Sequence, residues 1–145
     1  MKLLDFGIAR LRRAAPRTRT GHARGKLPYM SPEQLGGLAV DGRADVFALG
    51  SLVWEMLVGQ PLWGDDDVAA PAIREESAPP PSGARPDLPR WIDALVLPLL
   101  GKFAAFRPSA AEVAARFGDA AAHLGATRAA VAAEVARLAP PRRPG

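Results

Sequence analysis

The chain has 145 residues, 48% hydrophobic and 23% charged, which suits one packed domain and excludes a disordered or membrane-dominated composition. It holds no cysteine, so disulfides, thiol chemistry and thiolate metal sites are excluded. The net charge of +4 is unevenly placed: residues 1–31 carry eight Lys and Arg against Asp5 alone, whereas residues 32–138 carry nine basic and fourteen acidic side chains.

In chain order, Lys2-Leu3-Leu4 reads as a strand end and Asp5-Phe6-Gly7 as a turn. Residues 10–28 hold seven basic side chains, two glycines and two prolines with few large apolar groups, the pattern of a long solvated loop. Loops of that length inside a domain are uncommon and usually functional or disordered. Ser31-Pro32-Glu33 reads as a helix start, with Ser31 at the N-cap and Pro32 at the first helical position, and Gly36-Gly37 ends it. The strongest element lies within Asp41 to Gly59, where apolar residues cover nearly every face; a helix of that kind belongs in the middle of a core. Asp65-Asp66-Asp67 reads as the cap of a helix to about Glu76 rather than as a metal site. Ser77 to Asp87 is proline-rich and reads as extended or polyproline-like. Pro89 suits the first position of a helix toward Leu100, which Pro98 would end early. Ser109-Ala110-Ala111-Glu112 is a capping-box pattern before a helix ending near Gly118. In the Ala-rich stretch 119–138, Leu124, Val131, Val135 and Leu138 recur at helical spacing, and residues 139–145 form a Pro/Arg tail.

Four motifs in a fixed order resemble the second half of a bacterial serine/threonine protein kinase domain. They are Asp5-Phe6-Gly7 within Lys2 to Arg10, Gly25 to Gln34 with Tyr29-Met30-Ser31-Pro32-Glu33, Asp45 to Gly50, and Arg107-Pro108-Ser109. The resemblance covers residues 1–118 and implies a mainly α fold: the helical C-terminal lobe of the kinase domain, without its N-lobe. About six helices are expected, with little strand beyond a stub near residues 2–4. Residues 119–138 then read as an extra C-terminal helix. By resemblance, Asp5 is the acid that binds the Mg²⁺ bridging the ATP phosphates, with Gly7 permitting the unusual backbone beside it. Residues 8–28 resemble the activation loop, in which Thr18 and Thr20 among Arg17, Arg19 and Arg24 are phosphorylation candidates. Glu33 and Arg107 resemble the family's buried ion pair, and Asp45 the acid at the head of the central helix; these three are structural roles. The turn Gly101 to Phe106 lacks the polar residues the family usually places before Arg107.

Nothing in the sequence resembles the family's glycine-rich loop, strand lysine and partner glutamate, or His-Arg-Asp catalytic loop. Phosphoryl transfer rests on positioning and electrostatics supplied by those parts. The expectation is therefore a fragment of a serine/threonine kinase, inactive alone, with its catalytic base upstream. ATP and Mg²⁺ serve the full-length parent and no cofactor is expected for the isolated chain. The alternative is a noncatalytic interaction module derived from the kinase fold. Met1 stands where the family commonly has valine, which fits a truncated gene or a mis-assigned GTG start. Expected partners are a protein substrate or an intact kinase. Nucleic acid is not expected, because the activation loop already accounts for the basic run. Val46 to Val58, interrupted by Gly50, Ser51 and Glu55, is too short to span a bilayer, which takes about 20 residues. No signal peptide is read at the N-terminus, so a cytoplasmic location is expected. His22 and His123 read as surface residues, and Trp54, Trp63 and Trp91 as core.

Overall fold

The computed structural model describes residues 27–127, 129, 130 and 133. The expected strand stub near residues 2–4 lies outside them, and no strand occurs among the described residues. A 3-10 turn, Leu27–Tyr29, leads into α1 (Pro32–Leu35), α2 (Arg43–Val58), α3 (Asp66–Glu75), α4 (Pro81–Ala84) and α5 (Trp91–Val96). Two further 3-10 turns, Leu97–Leu100 and Ala104–Phe106, precede α6 (Ala110–His123). The helix ends follow local chemistry. Asp41 accepts the Arg43 N–H at 2.8 Å at the start of α2, and Gly59 at φ +83° closes it in the left-handed conformation that glycine adopts without strain. At α6 the Ser109 N–H donates to Glu112 Oε2 at 2.8 Å and the Glu112 N–H donates to Ser109 Oγ at 3.3 Å. This reciprocal pair satisfies two donors that a helix start leaves open.

α2 is the axis of the core. Phe47 and Trp54 pack with Trp63, Ala69, Ile73, Ile92, Val96 and Leu100 in one buried cluster, while Val46 joins Leu99 and Val113 in a second. The rings of Phe47 and Trp63 stack at 6.1 Å with an 8° tilt. Both buried indoles are satisfied, as buried N–H groups must be: Trp63 Nε1 donates to Ser51 Oγ at 3.1 Å and Trp54 Nε1 to the Pro79 carbonyl at 2.8 Å. Gly50 is where α2 touches the turn at Leu97–Leu100, since a Cβ there would sit 2.9 Å from Leu99 Cβ. The cover is incomplete. Leu49, Leu52 and Met56, spaced i, i+3 and i+7, form an exposed stripe along α2, with Met56 75% exposed.

Four sequence expectations change. The proline-rich stretch 77–87 is not extended throughout, because Pro81 begins α4 and is fully buried. Proline is tolerated at a first helical position, and the next N–H, that of Ser82, is taken by Asp93 Oδ1 at 2.9 Å, a partner distant in sequence. The helix after Pro89 begins only at Trp91; it ends early, at Val96, as Pro98 led one to expect, and a 3-10 turn follows. α6 continues through Gly118 to His123. Trp91 is 37% exposed and lies outside the core, beside the exposed His123 with ring centroids 6.0 Å apart. No helix among the described residues is long and apolar enough to cross a membrane.

Candidate functional site

Residues 27–35 are held against the helical body at three points. The first is an ion pair that joins residues 74 positions apart. Glu33 sits in α1, where the Ser31 N–H donates to the Gln34 side-chain oxygen at 2.8 Å and Pro32 opens the turn. Arg107 follows the 3-10 turn Ala104–Phe106, in extended backbone. Its Nη1 and Nη2 donate to Glu33 Oε1 and Oε2, each at 2.7 Å, the two-pronged geometry that a planar guanidinium shares with a carboxylate. The remaining donors reach main chain: Nε to the Gly101 carbonyl at 2.7 Å, Nη1 to the Arg43 carbonyl at 2.8 Å. The guanidinium also lies over the Phe47 ring, 5.0 Å from its centroid. Arg107 is 2% exposed and Glu33 7%. With both carboxylate oxygens and all three guanidinium nitrogens engaged, the attraction offsets desolvation; removing one partner of such a pair costs about 3–5 kcal/mol. Burial alone would push the Glu33 carboxyl up. Hydrogen bonds from Arg107, its own backbone N–H and the Ser31 hydroxyl, together with the Arg107 charge, outweigh burial and hold it below its usual value.

The second point is Tyr29, whose hydroxyl donates to Glu55 Oε2 at 2.7 Å across to α2. That bond to a carboxylate, with burial and the Glu55 charge adding to it, raises the phenol's pKa above 10.0. Glu55 also accepts the Leu62 N–H at 3.4 Å, so one carboxylate ties the Leu27–Tyr29 turn and the loop after α2 together. The third is Arg74, whose Nη2 donates to the Leu35 carbonyl at 2.5 Å. Behind these, the Lys102 ammonium donates to the Ile73 carbonyl at the end of α3 and lies 4.6 Å from the Trp63 ring centroid. Burial lowers its pKa, with Glu76 opposing the shift. The turn Gly101–Phe106, polar only at Lys102, still delivers the carbonyl that orients Arg107, because a backbone oxygen needs no polar side chain.

Of the residues singled out by sequence, Glu33 and Arg107 are brought together. Asp45 stands in the first turn of α2, exposed, and no described residue donates a hydrogen bond to it. Asp5, Gly7, Thr18 and Thr20 lie outside the described residues. Among the described residues no three His, Asp or Glu side chains converge as a metal site would require, and Asp65 takes the N-cap position of α3. The Tyr29–Glu55 bond was missed by sequence reasoning. Its only local signal is Glu55, the one acid in the apolar second half of α2.

The sequence matches the protein kinase domain family over residues 1–116. It is 43% identical over 110 residues to the tyrosine-protein kinase MasK of Myxococcus xanthus, covering 74% of this chain and 16% of that protein. It is 38% identical over 123 residues to serine/threonine-protein kinase A of Synechocystis, covering 83% of this chain and 24% of that protein. With serine/threonine-protein kinase Pkn1 of Myxococcus xanthus the identity is 36% over 148 residues, covering 100% of this chain and 20% of that protein. The chain thus spans between 16% and 24% of the length of these relatives. Its matched residues cover part of a kinase domain, its described part is mostly helical with no strand, and the chain belongs to the protein kinase family.

Proposed function

We propose that this chain supplies the substrate-side helical lobe of a bacterial serine/threonine protein kinase and does not transfer phosphate by itself. The observation that carries the reading is the buried Glu33–Arg107 fork, which fixes the segment 27–35 as a rigid ledge on α2. A ledge of that kind suits a lobe that positions a protein acceptor, since most of phosphoryl transfer is positioning and charge stabilisation. Tyr29 on Glu55 of α2 and Arg74 of α3 on the Leu35 carbonyl support the same ledge. In the complete domain ATP and Mg²⁺ supply the phosphoryl group and neutralise its charge; Asp5 is the residue assigned to the ion, with Gly7 beside it. Thr18 and Thr20 are the assigned phosphorylation positions in the activation loop, and Asp45 is assigned to orient the catalytic loop. The nucleotide cradle and the catalytic base are expected from residues outside this sequence.

The test is a chimaera. The isolated chain, given radiolabelled ATP, Mg²⁺ and a generic protein acceptor, is expected to transfer no label. Joined to the nucleotide-binding half of Pkn1 from Myxococcus xanthus, it is expected to label the acceptor, and the Glu33→Gln form of the chimaera to lose most of that activity. Labelling by the isolated chain, or an inert chimaera that is soluble and binds ATP, overturns the proposal.

A second reading, a noncatalytic docking module, is favoured by the exposed stripe Leu49, Leu52 and Met56 on α2. Exposed apolar stripes of this kind mark surfaces made to be covered. Inhibition of a purified intact relative by the isolated chain, relieved by Leu52→Lys with Met56→Lys, would support it; no effect at equimolar and higher ratios would remove it.

A further inference from the structure

A groove of about 590 Å³ lies between α5 and α6, lined by Trp91, Ala94, Leu95 and Ala120, with Arg116 and Asp119 at its rim. Trp91 is 37% exposed there, and His123 meets it edge-on with ring centroids 6.0 Å apart. Along the α6 side of the groove run Glu112, Arg116, Asp119 and His123, spaced i, i+4, i+7 and i+11 and so on one helical face. All four are exposed, whereas Val113 and Phe117 turn toward the core. Glu112 is held in its charged form: the Ser109 N–H and hydroxyl donate to it, and the Arg116 and Arg43 charges add to the lowering of its pKa.

The stripe alternates acid and base, so it complements its own reverse. Laid antiparallel on an identical stripe about a two-fold axis between Phe117 and Gly118, Arg116 meets the other copy's Asp119 and Glu112 meets its His123. Each contact then occurs twice, as a two-fold interface requires. Sliding by one turn sets Glu112 against Asp119 in one direction and Arg116 against His123 in the other. A parallel two-fold sets every charge on its like. One register alone pairs the whole stripe, and the repulsions exclude the others.

We propose that a second copy of this chain occupies the groove, with the two α6 helices antiparallel and Arg116 of each copy paired to Asp119 of the other. The side of α6 next to the stripe carries the exposed Ala111, Ala115 and Ala122, and these methyl groups cover Trp91 and Leu95 of the facing copy. An apolar floor under a charged rim is the ordinary make-up of such a face. The contact involves α5 and α6 only, so it stands apart from the role of the ledge 27–35.

The test exchanges the charges. Leu49→Gln, Leu52→Gln and Met56→Gln are carried in the full-length chain to silence association through α2, and dissociation constants are read by sedimentation equilibrium. This parent is expected to show a reversible monomer–dimer equilibrium. Arg116→Asp alone and Asp119→Arg alone each set like charges face to face and are expected to weaken the dimer at least about tenfold. Mixed in equal amounts, the two variants are expected to regain the parent affinity within about threefold, because both pairs return with their charges exchanged. A role of either side chain within its own copy would leave the mixture as weak as its components. A parent that stays monomeric, single variants as tight as the parent, or a mixture no tighter than its components overturns the proposal. The same two variants with α2 unaltered, each carrying a different tag, are expected to capture each other in preference to their own kind. Association through α2 carries no such preference, so equal capture also overturns the proposal, and this arm holds even where the α2 substitutions disturb folding.

Discussion

At the residue scale the most consequential contact is the fork between Arg107 and Glu33, two direct bonds of 2.7 Å each. Its worth is in geometry as much as charge. Arg107→Lys keeps the charge yet can supply neither the second prong nor the simultaneous bonds to the Arg43 and Gly101 carbonyls. We expect Arg107→Ala to lower the unfolding free energy of the chimaera by about 3–5 kcal/mol in urea, with Arg107→Lys recovering only part of it. The depressed Glu33 pKa sets a pH dependence. A carboxyl whose folded pKa lies below its unfolded one stabilises the fold fully above the unfolded value. That stabilisation is lost as pH falls through the folded value. Stability of the chimaera should therefore fall below pH 4.5, and Glu33→Gln should remove that part of the acid sensitivity while being less stable at neutral pH. Urea titrations of both proteins between pH 3 and 7 (roughly the carboxylate window) check the sign.

At the element scale, two helical glycines have opposite reasons to be there. Gly50 lets α2 approach the Leu97–Leu100 turn, with Leu100 Cγ 3.0 Å from where a Cβ would stand. Gly50→Ala forces the two elements apart and should cost about 1–3 kcal/mol, the usual range for overpacking. Gly118, in the middle of α6, has nothing within 4 Å of its virtual Cβ. Gly118→Ala should stabilise by about 0.5–1 kcal/mol, through helix propensity alone. Thermal melts of the two variants in the chimaera are expected to move in opposite directions. Shifts of the same sign would mean that the α2 contact is looser than the 2.9 Å approach indicates.

At the scale of the whole molecule, α2 is buried along one side and open along another. Phe47 and Trp54 lie in the core while Leu49, Leu52 and Met56 face outward. A protein that leaves such a stripe open associates with itself or with a partner. The isolated chain is therefore expected to sediment as oligomers, and the triple variant Leu49→Gln, Leu52→Gln, Met56→Gln to shift toward monomer. A sharp cooperative melt from a wild-type monomer would contradict this, because it would mean the exposed stripe costs nothing.

The sequence by itself determined what depends on neighbours in the chain. The capping of α6 by Ser109 and Glu112 follows from side chains within three residues of the backbone groups they satisfy. So does the family, because four motifs in order are a local pattern that needs no coordinates. The core position of α2 was legible from its apolar girth, but not which side stays open, since that depends on what else is present to cover it. Only the tertiary structure decided that Pro81 opens a helix, because its burial and the Asp93 partner of Ser82 come from α5, eleven residues away. It alone placed Trp91 at the surface and paired Tyr29 with Glu55, 26 positions apart. It also supplied the Gly101 carbonyl that steadies Arg107. Contacts between residues far apart in sequence are fixed by how helices pack, and packing is a property of the whole chain.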